Sequence, residues 1–188
     1  MLPLFINLAH AEPATLPAAS CGQPICDDQL LASLPESLGR FRATTRQTYD
    51  GWSAAMGIPP NGVVGAHGTF TLTGEMRPGE PVLNVNIQWH SHDGMGAPTH
   101  VESQPAGTRS GSLQAGRETH YFAIGDVRAH RASWITGGGD KQSQIDVLLG
   151  TQLSLELTIV GEHDLAEGEK LLEAFPLAAL DKLGHIGR

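Results

Sequence analysis

Three of the chain's nine histidines fall in "NIQWHSHDGMGAPTH" (86–100), as His90, His92 and His100, with Asp93 and Met95 between them. His90 and His92 are two residues apart, so on an extended backbone both side chains project to one side. Two imidazoles on one side can share a metal ion. Zinc and Cu(II) take imidazole nitrogen readily, and Cu(I) would also accept Met95. Gly94 and Gly96 let the chain fold back and bring His100 to the pair. A plainer reading stands beside this one, because a long polar loop tolerates histidine at little cost. The solvated loop comes first, and a Zn or Cu site on His90, His92 and His100 is the alternative. His120 and His130 lie in strand-like segments and read as partly exposed sheet residues rather than ligands.

The two cysteines, Cys21 and Cys26, stand in "CGQPIC". Their four-residue spacing, with Gly and Pro between, closes a small loop, and in an oxidising compartment a disulfide is the default. So short a loop stabilises by at most about 2 kcal/mol. "MLPLFINLAHAEPA" points to the same compartment: an apolar stretch runs from Leu2 to Leu8, then Ala9-His10-Ala11 offers a small-x-small site. This reads as the end of a secretory leader cut after Ala11.

Catalytic patterns do not emerge. There is no G-x-S-x-G elbow, and Ser110 and Ser112 in "RSGSLQAG" have no ordered base beside them. "GGGDK" lacks the G-K-[ST] ending of a phosphate loop and sits between strands rather than before a helix. No catalytic residue is assigned.

The framework for these residues is a series of strands. "VLNVNIQW" (82–89) alternates Leu83, Val85, Ile87 and Trp89 with Asn84, Asn86 and Gln88, which predicts a sheet with one apolar and one polar face. "LSLELTIVG" (153–161) repeats the pattern, placing Leu153, Leu155 and Leu157 inward. Strand character also marks 41–49, 66–74, 119–125, 127–135 and 143–150, with "TGGGDKQ" as a hairpin turn. "DGWSAAMGIPPNGVVG" (50–65) reads as a loop. Residues 90–117 form a long polar region with Gly and Pro throughout and no helical period. A short helix is expected from Asp27 or Asp28 to Leu34, ended by Pro35. "HDLAEGEKLLEAFPLAALDKLGHI" is helical, with Leu165, Leu171, Leu172 and Phe175 as its apolar stripe and Pro176 dividing it.

The expectation is therefore an α+β fold: an antiparallel sheet of about six strands with an N-terminal and a C-terminal helix packed on it. Residues 1–11 are the leader remnant, 12–26 an Ala/Pro-rich linker with the Cys pair, and 27–188 a single domain. The chain has 188 residues, a size that suits one core. Its net charge of −8 argues against a nucleic-acid partner. No apolar run reaches the roughly 18 residues that a membrane span needs.

"LLASLPESLGRFRAT", "AIGDVRAHRASWITGGGDKQSQIDVLLGTQLSLELTIVG" and "DLAEGEKLLEAFPLAALDKL" resemble stretches of small exported bacterial domains of the PsbP-like group. The resemblance covers roughly 28–88 and 118–184. It implies an α/β/α sandwich and carries over no catalytic residue. In that family a helix commonly follows the strand equivalent to 82–89, where this chain has its His-bearing loop. The sequence thus reads as an exported, periplasmic or cell-envelope accessory or binding protein, non-enzymatic, with an envelope protein or small ligand as partner. The second reading is a periplasmic Zn- or Cu-binding protein of the same compartment, and the third a hydrolase with an unrecognised site.

Overall fold

The structure is a computed structural model that describes residues 16, 25–57, 63–90, 97–161 and 165–186. Among the described residues, nine strands form one sheet: β1 Ser37–Leu38, β2 Phe41–Thr48, β3 Gly65–Thr71, β4 Val82–Trp89, β5 Arg109–Ser112, β6 Arg117–Ile124, β7 Val127–Ile135, β8 Lys141–Leu149 and β9 Leu153–Val160. Their spatial order is β1-β2-β3-β4-β9-β8-β7-β6-β5, and every pairing is antiparallel. Short helices accompany the sheet: α1 Asp27–Ser33, α2 Tyr49–Ala55, α3 Leu165–Leu171 and α4 Leu177–Leu183.

The expected PsbP-like α+β sandwich of about six strands is overturned by this arrangement, which is mostly one nine-stranded antiparallel sheet. β5, with the sequence "RSGS", has no apolar residue to betray it, and β1 is two residues long. Both are edge strands, and both are held by backbone pairing to a longer neighbour. α2 takes the first part of the segment expected as a loop over 50–65. Thr48 caps it, its hydroxyl accepting from the Gly51 N–H at 3.2 Å.

Apolar alternation decides which face is dry. Leu83, Val85, Ile87, Leu153, Leu155, Leu157 and Ile159 are fully buried in one cluster. Leu30 and Leu34 from the first helical segment, and Leu171, Leu172, Phe175, Leu177 and Leu180 from the last, complete it. Removing such a side chain from water stabilises by about 1.5–3 kcal/mol. α1 is capped by Cys26, whose backbone N–H donates to Gln29 Oε1 at 3.1 Å.

The topology explains the long connection after β4. That strand lies mid-sheet, yet the next strand in sequence, β5, forms the far edge. The chain therefore crosses half the sheet before it zigzags back through β6, β7 and β8 to β9, beside β4. On the way it makes a 3₁₀ turn, Thr99–Glu102, that lies against β7 and β8 and buries Val101. Among the described residues, no helix is long and apolar enough to cross a membrane. The expected leader and most of the linker lie outside the described residues.

Candidate functional site

The polar face of the sheet is built by register. Across β3, β4, β9, β8, β7 and β6, His67 stands opposite Asn86, Asn86 opposite Glu156, Glu156 opposite Asp146, Asp146 opposite His130, and His130 opposite Tyr121. Each neighbours an apolar residue of the core along its own strand, so strand alternation turns all six away from that core. One polar row therefore runs across six strands.

Hydrogen bonds link most of the row. His67 Nδ1 lies 2.7 Å from Asn86 Oδ1, and Asn86 Nδ2 donates to Glu156 Oε1 at 3.4 Å. Gln144 bridges the two carboxylates, its Nε2 donating to Asp146 Oδ1 at 2.8 Å and to Glu156 Oε2 at 3.4 Å. At one end Trp52 of α2 stacks on His67 at 4.8 Å. Nearer the other, His100 comes down from the 3₁₀ turn, and its Nε2 lies 3.1 Å from Asp146 Oδ2.

His130 completes this corner. Its Nδ1 stands 3.8 Å from Asp146 Oδ2, too far for a hydrogen bond, and this buried atom has no hydrogen-bond partner. The His130 and His100 rings meet edge to face at 5.1 Å, and Tyr121 leans on His130 at 4.7 Å. One ligating atom from each of His100, His130 and Asp146 lies within 4.8 Å of the others. His130 is 5% exposed and Asp146 7%. The three open into a cleft of about 640 Å³, which Arg117, Trp134 and Gln144 also line.

Burial sets the protonation of this face. It holds His67 and His130 below the ordinary imidazole range. The hydrogen bond to Asn86 opposes it at His67. At His130, the neighbouring His100 charge adds to the lowering, while Asp146 works against it. Burial, and then the charge of Asp146, raise Glu156 above the ordinary carboxyl range.

Of the loop histidines singled out in the sequence, His90 and His100 are described. His90 directly follows β4 and its Nε2 pairs with Ser154 Oγ at 2.9 Å, with burial lowering its pKa. His92, Asp93 and Met95 lie outside the described residues. His100 is found with His130 and Asp146, and the expected set of His90, His92 and His100 includes His92, which lies outside the described residues. Cys26 is buried and carries no free thiol, while Cys21 lies outside the described residues.

His120 and His130, expected to be partly exposed, are both buried. His120 faces the helices, where its Nδ1 lies 2.7 Å from Glu169 Oε1. His130 and Asp146 were missed as site residues, although one signal could have found them. A turn centred on "TGGGD" fixes the β7–β8 register, which pairs Ile135 with Lys141 and hence His130 with Asp146.

No protein-family model matches the chain, and no curated protein matches it. Among solved structures it is similar to the extracellular domain of PknH from Mycobacterium tuberculosis. The TM-score is 0.45 and the identity 10%, over 85% of this chain and 98% of that one. A likeness this distant carries no activity or ligand across, and the PsbP-like resemblance finds no support in these comparisons.

Proposed function

We propose that the chain is a non-enzymatic binding module of an exported protein that takes a small polar ligand in the cleft on the polar face of its sheet. The observation that carries this reading is the His130 corner. There His130, whose buried Nδ1 has no hydrogen-bond partner, lines a cleft together with Arg117, Trp134 and Asp146. Pockets of a few hundred Å³ with a few convergent polar groups and an aromatic wall are the usual form of small-molecule sites. Arg117 suits an anionic group and Trp134 a flat apolar one. The expectation of export is supported by Cys26, which is buried without a free thiol.

The test is a titration of ¹⁵N-labelled, chelator-treated protein with small dicarboxylates, amino acids and monosaccharides, followed by NMR. The expected result is a binder that shifts the Trp134 indole N–H together with the amides of Arg117 and His130, and that loses affinity in Arg117→Ala. Binders that move only resonances remote from the cleft, or no binder at all, would overturn the reading.

A further inference from the structure

We propose that His100, His130 and Asp146 form a binding site for one divalent transition-metal ion of the zinc class, with its open coordination positions facing the cleft. This deepens the binding reading above, since it names an ion as a resident of the same cleft.

The first support is distance. In a tetrahedral zinc site, ligand bonds of about 2.0–2.1 Å place neighbouring donors about 3.3 Å apart. His100 Nε2 and Asp146 Oδ2 lie 3.1 Å apart, and His130 Nδ1 and Asp146 Oδ2 3.8 Å. The second, independent support is the state of His130. Its side chain is 7% exposed, yet Nδ1 has no hydrogen-bond partner. Buried polar atoms are nearly always satisfied in folded proteins, and an ion between the three donors would satisfy this one.

The third support is the fixing of the carboxylate. Gln144 Nε2 grips Asp146 Oδ1 at 2.8 Å, which leaves Oδ2 for the imidazoles. Metal-binding carboxylates are commonly oriented in this way by an outer hydrogen bond. The donor set also selects the ion. Two imidazoles and one carboxylate suit zinc and its neighbours, whereas calcium and magnesium take mainly oxygen. His130 and Asp146 come from paired central strands, so two ligands are rigid. His100 rides on the crossing connection, with its side chain 52% exposed, so metal binding pins that connection to the sheet.

Isothermal titration calorimetry with Zn²⁺ on the full, untagged, chelator-treated chain tests the site. The expected result is one ion per chain at micromolar affinity or tighter, with no uptake of Ca²⁺ or Mg²⁺. Asp146→Asn and His130→Gln should each weaken zinc by at least about 100-fold, and Gln144→Ala by about 10-fold. His90→Ala should leave affinity unchanged. Histidine side-chain ¹⁵N shifts of the wild type with and without zinc keep the test valid if a variant fails to fold, and His130 Nδ1 and a His100 ring nitrogen should move. Zinc binding that survives both ligand variants, zinc binding lost in His90→Ala, or no zinc binding would overturn the site. Polar ligands that still shift Trp134 in the metal-free protein would then show that the metal site alone had failed. Zinc binding in a cleft that takes no small molecule would mark the opposite failure.

Discussion

Arg131 shows how much one side chain holds together. It is buried on the helix-covered face of β7, with Nη1 2.7 Å from Glu169 Oε1 and Nη2 3.1 Å from Glu118 Oε1. His120 Nδ1 reaches the same Glu169 oxygen, so α3 is tied to two strands through one carboxylate. Removing the cation leaves two partly buried carboxylates without it. Arg131→Met should therefore lower stability by about 3–5 kcal/mol in urea unfolding. A loss under about 1 kcal/mol would show that the ion pairs contribute little.

The histidines set the response to pH. His67, His90 and His130 all have lowered pKa values in the folded chain. The unfolded chain then binds protons first as pH falls through about 6.5, so their contribution is complete above that value and is lost below it. Glu156 acts oppositely, because its raised pKa makes its contribution largest at low pH and removes it as pH rises. The urea midpoint should accordingly be lower at pH 5.5 than at 7.5, and Glu156→Gln should steepen the drop. An unchanged or higher midpoint at pH 5.5 would contradict neutral buried imidazoles.

At the scale of elements, the end of α4 is fastened to the β8–β9 turn by backbone hydrogen bonds and one carboxylate, beside the core packing of Leu177 and Leu180. The N–H groups of Thr151 and Gln152 both donate to Gly184 O, at 3.0 and 3.2 Å, and Gly150 N–H donates to Asp181 Oδ1 at 2.7 Å. A Cβ at Gly184 would overlap the Leu149 carbonyl, which is backbone and cannot swing aside. Gly184→Ala should cost about 2–3 kcal/mol by forcing the helix off the hairpin. Gly137→Ala, where a Cβ meets open space, should be nearly neutral. Calorimetric melting of the two variants gives the comparison.

The strands with strict alternation were legible because their packing is local in pattern: β4 and β9 are found where Leu83 to Trp89 and Leu153 to Ile159 predict them. α2 was not legible, because Asp50-Gly51 looks like a turn and Gly51 weakens a helix. The Trp52 ring, stacked on His67, gives the segment a tertiary contact that no local rule contains. β5 was hidden for a similar reason, since its pairing with β6 supplies what its own sequence lacks.

At the scale of the whole molecule, two meanders, β1 to β4 and β5 to β9, meet at the β4–β9 seam. That closure forces the connection after β4 across the sheet, and the crossing delivers His100 to Asp146, 46 residues away in sequence. The loop drew attention in the sequence for its three histidines, and one of them, His100, lies beside Asp146. Its partners could not be read from the loop itself, because they lie on strands that join it only when the nine-stranded order is complete. The most direct measurement is the anomalous diffraction of a crystal soaked in zinc at its absorption edge. The account predicts one strong peak among His130, Asp146 and His100 at the floor of the cleft. A peak held by His90, or a cleft without zinc at saturating concentration, would contradict it.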